Sequence, residues 1–287
     1  MNAIFYLLAV FFGVSQSAAV KYYRKRSEDV LFFNAVKSLA AFLLFAVFAV
    51  PNFHFHVPTA AYGVLYGAFL ALSMQAGCRA LCLGPMSLTG MLVSFSVILP
   101  LLYGVIFAGE TPTAFQYCGF VFFALSVVLT NLGSEIRTSS LEKSENRGKW
   151  LFYVLLTFVS NGFCSVVQKI HQSAYPGLYL GEFVLYASGF CTILFGAAYW
   201  AKWLKEGGGK HSGIGFAGFA GISNAAANFC TLFLSGSEYA SVMYPVISAG
   251  SVLAALVCGR VLFSEKLSRG QCAALVCGLM AVVLLRL

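Results

Sequence analysis

Lys37 is the residue in this chain whose type and place point most directly to chemistry. It stands seven residues into the apolar run that begins at Val30. At a helical rise of 1.5 Å per residue this is roughly 10 Å inside a hydrocarbon core about 30 Å thick. An ionisable group at that depth faces a bundle interior or a wet cavity as a rule. The competing reading is a stem that snorkels to the near interface. Asn34 precedes Lys37 by one helical turn and shares its face. A cation and a carboxamide so placed suit an anionic or zwitterionic ligand. Glu182 is the one acid inside a comparable apolar run. It would pair with Lys37, hold the amine of a zwitterion, or lie at the interface. Asn224 and Asn228 are four apart and therefore on one helix face. Gln16, Gln75, Asn161 and Tyr244 complete the substrate-binding set, with Gln168 and Ser15 of similar character. Taken singly, each of these polar residues also fits an interhelical hydrogen bond. As a set drawn from both halves of the chain, they predict a polar cavity.

Other chemistries find no foothold. There is no phosphate-cradling glycine loop of fixed spacing, no nucleophile elbow and no pair of catalytic acids. The stretch GGGKHSG reads as a flexible connection. His54 and His56 flank Phe53 and Phe55 in a short segment and lack the further ligands zinc needs, so they read as a solvated loop. All nine cysteines fall in apolar runs without a C-x-x-C pair, where the thiol acts as a small hydrophobe. No catalytic residue, metal or cofactor is expected.

The elements that must position these residues are apolar helices. Of 287 residues 60% are hydrophobic and 10% charged, and the mean hydropathy is +0.83. A soluble domain carries about 25% charged residues, so the composition is that of an integral membrane protein. The apolar runs are continuous over helical lengths rather than alternating, which predicts helices and not a β-barrel. Ten spans can be laid down, at 2–20, 30–50, 60–82, 85–107, 114–132, 150–170, 178–203, 213–234, 238–262 and 269–287. The longest polar stretch, 133–149, is a linker between a first repeat at 1–132 and a second at 150–287.

The two halves match at their ends. GVIFAGETPTAFQYCGFVFFALSVVLTNL, from Gly104, aligns with GRVLFSEKLSRGQCAALVCGLMAVVLLRL, from Gly259. Gly104, Glu110 and Gln116 meet Gly259, Glu265 and Gln271 in one register. Thr113 and Ser268 are placed as N-caps with the glutamines three residues on, a capping box in each copy. Glu110 and Glu265 read as dipole partners at the starts of spans 5 and 10. Phe5, Tyr6 and Leu8 likewise meet Phe152, Tyr153 and Leu155. Five spans per repeat put the second copy in the opposite sense. The expected fold is thus an all-α integral membrane protein, ten transmembrane helices as two inverted five-helix repeats around a central cavity.

Fifteen Lys and Arg fall on the side of the bilayer that receives the loop after span 1 and the central linker; only Lys169 and Arg286 fall opposite. The positive-inside rule makes the crowded side cytoplasmic and both termini external, in the cell membrane. The same scatter over short loops, with no recognition module, argues against a nucleic-acid partner despite the net charge of +8. The expected partners are the lipid bilayer and a small-molecule substrate, with the chain a monomer or homodimer.

Two stretches, GPMSLTGMLVSFSVILPLLYGVIFAGETPTAFQ and SEYASVMYPVISAGSVLAALVCGRVLFSEKLSRGQ, carry a family likeness. With their Pro-bearing spans, GE or SEK turns and T/S-x-x-Q starts, the chain resembles the EamA-type ten-span members of the drug/metabolite transporter superfamily. The resemblance implies a basket of ten helices moving a small metabolite by alternating access, in efflux or exchange, and makes Lys37 a counterpart of the Arg that relatives carry in span 2. A lipid-carrier translocator of the same fold is the alternative, and a membrane-embedded enzyme a more distant one. Protease-accessible tags on both termini of intact cells, with a protected tag in the linker, are the expected topology result; two cytoplasmic termini would refute it.

Overall fold

Backbone polar groups in hydrocarbon must be satisfied within their own segment, which leaves an apolar chain of this kind little choice but to coil. The computed structural model describes residues 2–24, 29–49, 53–83, 93, 95–132, 144–207, 213–263 and 269–286. Among these, every regular element is helical. In chain order they are α1 (Asn2–Arg24), α2 (Val30–Ala49), α3 (Val57–Leu83), a 3-10 turn (Phe95–Val97) running into α4 (Ile98–Ile106), and α5 (Ala114–Leu132). The second half supplies α6 (Ser144–Ala174), α7 (Leu180–Glu206), α8 (Ile214–Ser235), α9 (Ala240–Phe263) and α10 (Arg269–Arg286). Six of them, α1, α2, α3, α6, α7 and α8, are long and apolar enough to cross a membrane. Shorter apolar helices occupy Phe95–Ile106, Ala114–Leu129, Ala240–Ala254 and Cys272–Leu285.

Local chemistry sets several boundaries. α3 starts three residues before the expected span, with Pro58 in its first turn, where a missing N–H costs nothing. Pro100 sits at the third position of α4 for the same reason. α6 begins at Ser144, inside the expected linker, because charged residues such as Glu145, Arg147 and Lys149 are good helix formers. The rest of that linker lies outside the described residues.

The chain folds into two compact units. The first comprises Met1–Gln75 with Val167–Ser237, the second Ala76–Val166 with Glu238–Leu287, so each unit draws on both sequence halves. In the first, α1 lies along α8, and α2 packs on both α7 and α8. Glycines make the approaches close. A Cβ on Gly63 would stand 2.8 Å from the Tyr186 Cβ, and one on Gly67 would stand 2.8 Å from the Ala187 carbonyl oxygen, which brings α3 onto α7. A Cβ on Gly221 of α8 would run into the carbonyl oxygen of Lys37 on α2, and would stand 2.9 Å from the Ala40 Cβ. Spaced small residues of this kind are what lets membrane helices meet without a hydrophobic driving force.

A polar chain fastens the α6–α7 turn of the same unit. Gln172 is fully buried; its Oε1 accepts the Gly177 N–H at 2.9 Å, and its Nε2 lies 3.0 Å from His171 Nδ1. The amide must donate there, so His171 carries its proton on Nε2 and gives it to Thr59 Oγ1 at 3.0 Å. The Thr59 hydroxyl is then left to donate to His56 Nδ1 at 2.9 Å. His56 also stacks on Tyr179 at 4.3 Å, a residue in the left-handed region at φ 53°. The expectation of two solvated loop histidines is therefore corrected for His56, while His54 is exposed.

In the second unit α5 packs along α10, and α9 touches α4, α5 and α10. The capping box expected at α5 is present: Gln116 N–H reaches Thr113 Oγ1 at 3.3 Å, and Thr113 N–H reaches Gln116 Oε1 at 3.0 Å. Its counterpart Ser268 lies outside the described residues. Glu110 serves a different helix from the one expected. Its two carboxylate oxygens accept the N–H groups of Ala240 and Ser241, at 2.7 and 2.8 Å, and so cap α9 rather than α5. The reason is the turn itself, in which Gly109 at φ 67° and the Glu110 N–H to Gly104 carbonyl bond of 2.9 Å fold the carboxylate back over Gly104. A Cβ on Gly104 would run into that carboxylate. The Gly and Glu that match between the sequence halves are thus in contact with each other in the first copy.

The glycine contacts predict an asymmetric result within α8. Gly221→Val should destabilise the protein by about 1–3 kcal/mol, as overpacking does. Gly218→Val, on the same helix with nothing within 4 Å of its added Cβ, should leave the melting temperature nearly unchanged. Thermal unfolding of the two variants in detergent checks this.

Candidate functional site

Four helices of the first unit, α2, α3, α7 and α8, wall a cavity around Lys37. The lining is Lys37, Ser38, Ala41 and Phe45 from α2, Tyr66, Leu70 and Met74 from α3, Val184, Ala187, Ser188 and Cys191 from α7, and Asn224, Ala225 and Asn228 from α8. The space open to the centre of a water molecule is ≈ 20 Å³, enough for one or two ordered waters. Lys37 is only 5% exposed. Its ammonium is therefore not snorkelled to a surface.

Each wall has a reason for its place. Gly221 brings the α8 backbone against the Lys37 carbonyl, which sets Asn224 and Asn228, one and two turns further on, beside the lysine helix. Gly67 brings α3 against α7, and the Cys191 thiol donates to the Gly67 carbonyl at 3.3 Å. The Ser38 and Ser188 hydroxyls donate to their own helices, to Asn34 O at 2.8 Å and Val184 O at 2.7 Å. The amides of Asn224 and Asn228 are tied to no other described side chain. Gln168 of α6 supports this wall from behind, its Nε2 3.5 Å from the backbone oxygen of Asn228.

Of the nine expected site residues, the structure brings Lys37, Asn224 and Asn228 to one cavity. Asn34 and Gln75 are beside it and spent on each other: the Asn34 Nδ2 donates to the Gln75 Oε1 at 3.1 Å and ties α2 to α3. Asn34 is 1% exposed. Glu182 is buried in the first turn of α7, a favourable place for a carboxylate, and its Oε1 accepts the His54 N–H at 3.3 Å. It does not line the cavity. Gln16 is half-buried on α1 and lines nothing there. Asn161 and Tyr244 belong to the second unit. Asn161 donates to Ser96 Oγ at 2.9 Å and Tyr244 to the Ser165 carbonyl at 2.7 Å.

Sequence reasoning passed over Ser38, Ser188, Tyr66 and Cys191 as lining residues. Ser38 was accessible to it, being adjacent to Lys37; the others depend on which face of α3 and α7 turns inward. It also counted Lys169, at the end of the sixth expected span, among the charges at the outer face. Lys169 is instead buried in α6, its Nζ donating to the Ser235 carbonyl at 3.3 Å, at the negative end of α8. Among the described residues no three His, Cys, Asp or Glu converge as a metal site requires.

Comparison with known proteins adds the fold and nothing finer. No family model matches the chain, and no curated protein matches it. One solved chain, described only as "Crystal structure of protein", shares the fold with a TM-score of 0.76. The match covers 99% of this chain and 95% of that one at 14% identity.

Asp29 sets where the lysine helix begins. Its Oδ1 accepts the N–H groups of Leu31 and Phe32, both at 3.1 Å, and its Oδ2 meets Lys202 Nζ of α7 at 3.1 Å. Burial pushes its pKa up, but the Phe32 hydrogen bond and the Lys202 ammonium outweigh this and hold it below the ordinary 3.8. A lowered folded pKa contributes stability that is fully present above 3.8 and is lost as pH falls through the folded value. Asp29→Asn keeps a capping oxygen but loses the carboxylate charge and its Lys202 ion pair, so it should cost stability at neutral pH by about 0.3–1 kcal/mol. The gap to the wild type should narrow as the pH is taken below 3.8. Urea unfolding across pH measures it.

Proposed function

We propose that this protein is a secondary transporter of a small polar or amphipathic metabolite, anionic or zwitterionic. It would work by alternating access in efflux or exchange, as the likeness to the drug/metabolite transporters implies. The observation that supports this reading best is the Lys37 cavity, a buried ammonium beside two carboxamides with unspent hydrogen-bonding capacity. Intramembrane ionisable groups mark substrate and ion pathways by default.

The placement of that cavity lends further support. α2 and α7 are the second helices of their halves, α3 and α8 the third, so matched elements face the same space. That is where a carrier built from inverted repeats binds its substrate. In the proposed architecture the shorter helices complete ten spans, with the linker cytoplasmic.

Cys191 provides the test, since it lines the cavity. With the other cysteines replaced, a membrane-impermeant methanethiosulfonate should label Cys191 both in right-side-out and in inverted vesicles. Labelling from neither face would overturn alternating access at this site. In liposomes offered a labelled pool of organic acids and amino acids, Lys37→Ala should lower uptake about tenfold or more while the melting profile persists.

A further inference from the structure

We infer that the cavity of the first unit takes a singly charged organic anion, a small carboxylate on an aliphatic body, and rejects zwitterions and cations. This rests on reading the cavity as a ligand site and narrows what that site holds. Among the described residues the lining contains one charged side chain, Lys37, and no carboxylate. Glu182, the acid that would receive the amine of a zwitterion, is engaged at the start of α7 by the His54 N–H and does not line the cavity. A ligand ammonium would therefore be stripped of water with no partner of opposite sign, and with a like charge beside it. An unpaired buried ion costs several kcal/mol.

Charge balance also limits the anion. One ammonium neutralises one negative charge, so a phosphate dianion would bring an excess that this lining does not answer. The donor-bearing side chains that line the cavity are the Lys37 ammonium, the carboxamides of Asn224 and Asn228, which lie one turn apart on α8, and the Tyr66 hydroxyl. Ser38 and Ser188 add none, since their protons go to Asn34 O and Val184 O. Ala41, Phe45, Leu70 and Met74 offer the rest of the ligand only apolar contact.

A matched four-carbon series separates the possibilities: butyrate, 4-aminobutyrate, butylamine and butan-1-ol. Binding is read by calorimetry on the purified full chain and by protection of Cys191 from alkylation. Butyrate should bind and protect about tenfold or more better than 4-aminobutyrate, with butylamine inert. Lys37→Met should remove the preference for butyrate and spare butan-1-ol. Should that variant not fold, Asn228→Leu is expected to weaken butyrate while leaving butan-1-ol unchanged. Equal or tighter binding of 4-aminobutyrate or butylamine, with Cys191 protected, overturns the anion assignment and leaves the cavity as a ligand site. If none of the four binds or protects Cys191, both readings fall.

Discussion

A lysine ammonium enclosed by apolar helices is the constraint around which the first unit is arranged. Withdrawn from water, the charge costs several kcal/mol unless polar groups or trapped solvent replace its hydration. The cavity supplies both kinds of relief in a small space: carboxamides from α8, hydroxyl oxygens from α2 and α7, and room for a water or two. The arrangement contributes little to stability that an apolar core would not give more cheaply. On the proposed reading, it is a device that favours an incoming negative charge.

What holds that device in shape is backbone proximity. Gly221 against Lys37, and Gly63 and Gly67 against α7, replace side-chain interdigitation with direct helix contact. Dispersion then acts over long stretches of main chain, which is the main attraction left when lipid tails are as apolar as the helices. Polar ties are placed at the ends of these contacts. Asn34 with Gln75 closes α2 on α3, Asp29 with Lys202 closes α2 on α7, and the Thr59–His171–Gln172 chain closes α3 on the α6–α7 turn. Few of these ties are ion pairs, in keeping with a chain that carries so little charge.

Much of the helical plan was legible in the residues, because continuous apolar runs admit one backbone solution. The Thr113–Gln116 capping box was legible for the same local reason. The site was less so. Lys37 announced itself by depth, and Asn224 with Asn228 by their spacing. Asn34 and Gln75 have the same polar character, yet satisfy each other across two helices, and nothing local distinguishes a carboxamide spent on a neighbour from one that faces a cavity. Glu182 shows the limit most plainly. Its type suggested a counter-charge for Lys37, while its position in the first turn of α7 gave it a helix N-terminus and the His54 N–H instead. Glu110 was read correctly as a capping group and assigned to the adjacent helix, when its turn carries it to α9. In each case the missing quantity was the rotation or the long-range partner of a helix, which single-sequence periodicity does not contain.

The walls of the cavity come from both sides of the central linker, α2 and α3 before it, α7 and α8 after it. During synthesis, therefore, the helix bearing Lys37 enters the bilayer long before the asparagines that will adjoin it have been translated. In the interval its ammonium has α3 beside it but none of the α7 and α8 walls. The site is therefore complete only once the second half has been made.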